Sequence, residues 1–550
     1  MRYDVCVLGG ASLDLTYYLD EKNNVKNIEP VKSLGGKGAN QAVAASRAGA
    51  KVTIITKIGD DENGKYILES LIKNGVDVSN VETMQGQMSD YSNVYIAPIS
   101  KDNKVERHGN IIDTYSVDII EKNKEVILNS KVVVFQSKVP KEVTAELVNF
   151  CYANNIPLVF TPCLPERFKL DDLNNLELIN KITYITANEK ECAQLFGTDN
   201  IFECVKRYPN KLIVSLGDKG VVFSDGVDII QLPPDNVKNI EDTTGAGDTL
   251  NGNFVAAILT GMSVKNAITR AQNASCMKIQ EKATQAGMPY KEELDSYILN
   301  KISEGFRYNE ELMLAIELVK NAAFALQRKL NTSISVKADK TFVTDSDLFV
   351  EELITKGIKA KFIKDNFVTE EFNSKNKISD RTWIIDPIDG TAHYMKKSIY
   401  WSIQLAFIDN EETQFSIIYV PKLDELYFGL KDRGVYLNYQ KIELSKPKSI
   451  SESTAEFCGS LCKCRDERKE VFNKLLNNPQ GIANFMHINS CSFAFANLLS
   501  GRTDTLILSA KKPWDVIPGT FMLKEVGVNR FSYGALEIFS NVQDIEEIIT

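Results

Sequence analysis

From Val5 to about Met288, short apolar runs alternate with stretches of helical spacing. The runs VCVLG, KVTIITKIG, KVVVFQ, IPLVF and LIVSLG are rich in branched aliphatics with few polar interruptions, as strands buried on both faces require. Gly64 to Asn74 and Val143 to Ala153, between them, place apolar residues at helical intervals. Strands that alternate with helices predict an α/β fold, a doubly wound and mostly parallel sheet covered by helices. Two runs of polar and apolar alternation, Ser92 to Pro98 and Lys104 to Gly109, break this rhythm and predict a hairpin, a small β lid beside the main sheet.

The pattern changes after Met288. A polar helix is predicted between Tyr290 and Arg307, and a new amphipathic helix, EELMLAIELVKNAAFALQRKL, begins at Glu310. The boundary therefore falls around 300–308, giving one domain over 1–300 and a second over 309–550. The second half reads as two helices, the run WIIDPIDGT, several strands (YWSIQLAFI, TQFSIIYV, DELYFGL) and three further helices. That is a second mixed α/β unit with its own core.

Composition narrows the function classes. Length alone, 550 residues, predicts about three or four folding units. A hydrophobic content of 43% with 25% charged residues is that of a globular chain. The formal charge of -9, without a long basic run, argues against nucleic acid as a partner. The start MRYDVCVLGGASLDL is too short and Gly-rich in its apolar part for a signal peptide, and no 18 apolar residues follow one another. A cytoplasmic protein without a membrane partner is expected. Ten Cys, irregularly spaced, read as free thiols; Cys458, Cys462 and Cys464 cluster, but three His in the whole chain supply no evident zinc set.

Chemistry in the first half centres on IEDTTGAGDTLNGNF, where a Gly-rich turn runs directly into a helix. Unpaired backbone N–H groups of Gly245, Ala246 and Gly247 make an anion hole there. Asp248 in the same turn would repel a phosphate, so it suits a base that takes a proton from an attacking hydroxyl; for a lone GAGD the competing reading is a helix cap. Asn40, at the helix start after the turn GGKGAN, and Asp14, just past the first strand, stand where doubly wound sheets bind ligands.

These segments, with TANEKE and VSLGDKG, occur in an order that resembles the ribokinase and phosphofructokinase-B family of sugar kinases over essentially all of residues 1–295. The resemblance implies a ribokinase-like fold, ATP and a sugar. It makes Asp248 the catalytic base and assigns Gly245, Ala246 and Gly247 to the transferring phosphoryl group. It gives Asn188, Glu191 and Gly217 to the ATP phosphates and magnesium, and Asp14, Gly36, Lys37 and Asn40 to the sugar. Asp242 and the loop KATQAGMP, Lys282 to Pro289, resemble the family's monovalent-cation loop, a K+ site. Two positions depart from the pattern: Ser12 stands where ribokinases usually carry Asn, and Lys138, in FQSKVP, where they carry Glu. Lys138 reads either as a substrate-binding cation for a phosphorylated or acidic sugar, or as a solvated Lys beside an unchanged pocket.

In the second half, DPIDGT sets two Asp at the end of the apolar run TWII, and burying two like charges there is costly unless cations neutralise them. Hard carboxylate oxygens suit Mg²⁺, and Gly390 with Thr391 offers N–H groups and a hydroxyl to a phosphate. Together with VTDSDL, FVTEEF and KPWDVIPGT, this resembles the inositol monophosphatase family of metal-dependent, lithium-sensitive phosphatases over about 309–550. The resemblance implies a layered α/β sugar-phosphatase fold. It makes Glu370, Asp386, the Ile388 carbonyl, Asp389 and Asp515 the Mg²⁺ ligands, and pairs Thr391 with Asp347 to orient the attacking water. Ala392 and His393 after DGT leave the phosphorylated metabolite open.

Both halves thus point to a bifunctional enzyme, a carbohydrate kinase joined to a Mg²⁺-dependent phosphomonoesterase. The rival is a chain in which one half is silent and serves regulation or scaffolding, against which the complete acid sets argue. Oligomeric state stays open, with a homodimer among the options.

Overall fold

The computed structural model describes residues 3–20, 24–26, 29–97, 103–163, 168, 173–328, 334–336, 342–459, 464–478 and 481–550. Pro98, Lys329, Leu330 and Cys462, named above, lie outside them. The chain divides into two compact units, Met1–Ile298 and Leu299–Thr550, fewer than length alone predicts. Among the described residues no helix is long and apolar enough to cross a membrane, and the cysteines are free thiols.

The first unit is built on a nine-stranded sheet in the order Ile229–Leu232, Val221–Ser224, Leu212–Ser215, Tyr184–Asn188, Leu158–Thr161, Ser130–Gln136, Tyr3–Leu8, Val52–Gly59, Val81–Met84. All neighbours from Leu212–Ser215 onward pair in parallel, and the first two strands add an antiparallel edge. Tyr3–Leu8 shows why these runs are apolar without alternation. Cys6 and Leu8 enter one core while Val5 and Val7 enter the core on the opposite face. The chain leaves Tyr3–Leu8 toward one side of the sheet and returns through Ser130–Gln136 to build the other. The connections at their carboxyl ends part in opposite directions, opening the crevice in which such sheets bind ligands.

The expected lid is present but larger than a hairpin. Tyr91–Ile96 and Asn103–His108 pair antiparallel as predicted. Ser12–Tyr18 joins Tyr91–Ile96 in parallel, and Val31–Gly35 completes four strands. These partners come from far along the chain, so local alternation could not show them.

In the second unit a seven-stranded sheet runs Asn366–Thr369, Thr382–Asp389, Ser402–Asp409, Glu412–Val420, Glu425–Leu430, Gly434–Leu437, Gln440–Lys441. One face carries Asn309–Arg328 and Asp345–Lys361; the other carries Pro513–Glu525, which also packs on Cys491–Leu499. A five-stranded sheet containing Thr454–Cys458 and Thr505–Leu508 follows, with Arg465–Asn477 and Ile545–Ile549 beyond it. Asn309–Arg328 buries Leu312, Ala315, Ile316, Val319, Ala323 and Leu326, the three-and-four spacing read from the sequence. Arg465–Asn477, Cys491–Leu499 and Pro513–Glu525 are the three late helices expected; Ile545–Ile549 is a fourth, too short to show a period.

Candidate active sites

Most of the residues singled out in the first half sit at carboxyl ends of the parallel strands or on the helices facing them. The helix Ala246–Leu259 begins at Gly245, whose φ of 83° lies in the left-handed region. A Cβ there would stand 3.0 Å from the Thr284 carbonyl oxygen, so only glycine fits the turn. Asp248 is buried one turn in and is no cap, since that helix start has no side-chain cap bond. It accepts from Asn40 Nδ2 at 3.2 Å and from Gln41 Nε2 at 3.0 Å. Burial raises the Asp248 carboxyl above the ordinary range, with Lys37 opposing, which moves it toward the pKa a general base needs.

Lys37 Nζ pairs with Glu191 Oε1 at 3.3 Å and is near enough to Asp248 to favour its own charged form. Asn188 and Glu191 cap the helix Glu189–Phe196 reciprocally, with Glu191 N to Asn188 Oδ1 at 2.8 Å and Asn188 N to Glu191 Oε2 at 3.0 Å. Glu191 therefore uses one oxygen for the cap and the other for Lys37. Gly36 precedes the helix Lys37–Arg47 with a φ of 85°. Gly217, also left-handed at 62°, follows the strand Leu212–Ser215, and no hydrogen bond among the described residues ties it to the Asp248 network. Gln41 and Gln136 were not foreseen. Gln136 donates to Gln41 Oε1 at 2.8 Å, which orients the Gln41 amide toward Asp248. Their signal was present, one residue past Asn40 and inside FQSKVP.

Asp14, on the lid strand Ser12–Tyr18, lies within electrostatic reach of Lys138 and Asp248. Register aligns Asp14 with Ser92 and Ser92 with Arg107, so these three side chains share one face of the lid sheet. Lys138 is partly buried, and burial together with Arg107 lowers its pKa while Asp90 and Asp14 counteract. Burial pushes Asp14 up to about 7, with Lys138 opposing and Asp248 adding to the rise. The sign of the linkage follows: the folded chain keeps a proton that the unfolded chain has lost, so stability falls as pH rises from about 4 to about 7. Asp14→Asn should raise the melting temperature by an increment that grows over this window and then levels. An increment constant from pH 4 to 8 would contradict it.

The second unit gathers its acids by a different device. Thr382–Asp389 pairs with Ser402–Asp409 with Asp386 opposite Gln404 and Asp389 opposite Ser402, and the register shifts between them. In a regular strand, residues three apart point to opposite faces; this bulge turns both carboxylates to one face. Asp386 is 1% exposed and its Oδ1 has no hydrogen-bond partner. Burial raises its pKa well above the ordinary range, and Glu370, Asp389 and Asp515 push it further. Asp389 Oδ2 accepts from Ser490 Oγ at 2.6 Å, from Ser492 N at 2.7 Å and from Ser492 Oγ. Thr391 Oγ1 lies 3.2 Å from Asp347 Oδ1 and 3.1 Å from the Ile388 carbonyl oxygen. Asp347 is buried and also caps the helix Asp345–Lys361 through Thr344. Gly390, at a φ of 82°, starts the single turn Thr391–Met395.

Residues behind these acids were not legible. Glu351 is buried, accepts from Thr369 Oγ1 and from the Glu371 and Phe372 amides at 2.9 and 2.8 Å, and so fixes the loop that carries Glu370. Among the described residues the acids do not converge into a closed group of three or more ligating side chains. Their chemistry nevertheless fits a hard divalent cation, because a buried carboxylate oxygen without a donor, with three further carboxylates within electrostatic reach, is stabilised by positive charge.

One unit thus sets the buried carboxylate of Asp248 just past a glycine turn at a helix start, and the other sets the buried Asp386 within electrostatic reach of Glu370, Asp389 and Asp515. Residues 2–291 match the family model of the pfkB family carbohydrate kinases, and the chain belongs to that family. Residues 308–537 match that of the inositol monophosphatase family, to which the second half belongs. Ribokinase of Bacillus subtilis is 32% identical over 301 residues, 54% of this chain and 99% of the relative. Histidinol-phosphatase of Chlorobaculum parvum is 30% identical over 230 residues, covering 40% of this chain and 86% of the relative. Inositol monophosphatase of Dictyostelium discoideum is 27% identical over 237 residues, 41% of this chain and 85% of the relative.

Proposed function

We propose that the chain is a bifunctional enzyme that phosphorylates a hydroxyl of a sugar or sugar derivative with ATP and hydrolyses a phosphomonoester with Mg²⁺. The observation that carries the reading is the pair of buried acids, Asp248 beside Asn40 and Gln41, and Asp386 with an unpartnered oxygen among Glu370, Asp389 and Asp515. In the first unit, Asp248 takes the proton of the acceptor hydroxyl as its oxygen attacks the γ-phosphorus and the bond from that phosphorus to the β,γ-bridging oxygen breaks, releasing ADP. The amides of Gly245 to Gly247 receive the negative charge of the transferring group, and Lys37 lies close by, held by Glu191. In the second unit, Glu370, Asp386, the Ile388 carbonyl, Asp389 and Asp515 would hold Mg²⁺, which supplies Lewis acidity and charge neutralisation at the phosphoryl group. Thr391 positions the attacking water and passes its proton toward Asp347, while the ester P–O bond breaks and the alcohol leaves with a proton from solvent. Separate measurement of ATP consumption and phosphate release, over a panel of sugars and sugar phosphates, tests the reading. A chain active in neither assay would overturn it.

Lys138 and Arg107 support an acceptor that carries a phosphate or carboxylate, because two cations border the face of the pocket that holds Asp14. Such an acceptor also accounts for the fusion: a phosphatase that removed the phosphate just installed would only waste ATP, whereas one acting on a second phosphate of the same metabolite would not. Lys138→Glu should lower kcat/KM for the anionic acceptor by roughly tenfold or more and favour neutral sugars. Ribose as the best substrate, unaffected by Lys138→Glu, would remove this refinement and leave the kinase assignment standing.

A further inference from the structure

The resemblance of Asp242 and the loop Lys282 to Pro289 to a monovalent-cation site can be set against the groups that surround it. Lys278 is the last residue of the helix Val264–Lys278, and none of its surface is exposed (0%). Its ammonium donates to the Asp242 carbonyl oxygen at 3.0 Å and to that of Glu281 at 3.4 Å. Backbone carbonyls of this kind are the ligands a K+ ion would need, and here a covalently attached cation engages them. The Asp242 carboxylate, also 0% exposed, accepts from Thr244 N at 2.8 Å through Oδ1 and from Ala283 N at 3.1 Å through Oδ2.

The surroundings confirm a fixed arrangement. One turn before Lys278, Ser275 Oγ donates to the Ala246 carbonyl oxygen at 2.9 Å. The last turn of this helix therefore grips both ends of the segment from Asp242 to Ala246, which carries the anion-binding turn. The loop beyond closes over the same point: a Cβ at Gly287 would stand 2.6 Å from the Lys278 carbonyl oxygen. Burial lowers the Lys278 pKa, and the neighbouring charges that act against this are Asp242 and Glu281. A helix carboxyl end, rich in unpaired carbonyls, adds to the preference for positive charge.

We propose that the buried ammonium of Lys278 stands in for a monovalent cation beside the anion-binding turn, so that phosphoryl transfer by this unit needs no K+. The inference rests on the kinase reading for its catalytic consequence, but its binding consequence does not. Lys278 is a positioning residue: it fixes Asp242, and with it the turn that ends at Asp248, by a charge that cannot dissociate.

The test uses the full chain. The wild type should show the same ATP turnover in saturating KCl as in tetramethylammonium chloride of equal ionic strength, and K+ should not raise its melting temperature beyond the salt control. Lys278→Ala removes the tethered charge, so its turnover should fall at least about tenfold without K+ and recover substantially with it. K+ should then also raise the melting temperature of the variant specifically. Lys278→Gln, which keeps a donor but no charge, serves as the second variant and should behave in the same way. Wild-type turnover or melting that responds specifically to K+ overturns the proposal, and so do variants that fold and remain deaf to K+ in both measurements. A lysine that merely holds two loops together would give that last outcome. If no acceptor supports ATP turnover at all, the kinase reading fails, while the melting comparison still decides the role of Lys278.

Discussion

Asp248→Asn is expected to reduce ATP-dependent phosphorylation by about 10²- to 10⁴-fold, the range over which a positioned general base acts. The substitution keeps size and one acceptor oxygen, so the contacts with Asn40 and Gln41 are largely preserved and the helix it sits on should remain folded. What is lost is the ability to take a proton. The defect should therefore lie in kcat, with a smaller change in acceptor KM, because the base acts mainly on the transition state. Phosphate release by the second unit should stay at its wild-type rate, since its acids lie within residues 299–550. Phosphorylation that survives within about tenfold would show that another group removes the proton.

Asp386→Asn should have a comparably large effect of a different kind: loss of Mg²⁺-dependent phosphate release by about 10²-fold or more, together with greater stability of the metal-free chain. Both follow from one observation. A carboxylate that is 1% exposed, with an unpartnered oxygen and Glu370, Asp389 and Asp515 nearby, is costly to keep charged without a cation. A neutral amide removes that cost and much of the attraction for Mg²⁺ at once. In EDTA the melting temperature of the variant should exceed that of the wild type, by roughly 2–4 °C for each kcal/mol gained in a unit of this size. In Mg²⁺ the order should reverse, because only the wild type gains binding free energy. Phosphate release unchanged by EDTA, or a variant that melts below wild type in EDTA, would contradict this account.

Much of this molecule was legible in the chain itself. The parallel sheet followed from apolar runs such as VCVLG, because a strand covered on both faces leaves few positions for a polar residue. The amphipathic helix Asn309–Arg328 followed from its period, and the turns at Gly245 and Gly390 from glycines and acids at positions where a helix or strand begins or ends. Such signals are local, and local sequence determines local backbone geometry. The tertiary structure decided what each polar group meets. It added two strands to the lid, lined Arg107 up with Asp14, turned Asp386 and Asp389 to one face through a bulge, and buried Lys278 against the carbonyls of Asp242 and Glu281. None of these could be read from spacing, since each partner lies on another element. Whether a Lys is solvated or an Asp is raised depends on desolvation and neighbouring charge, and packing alone sets both.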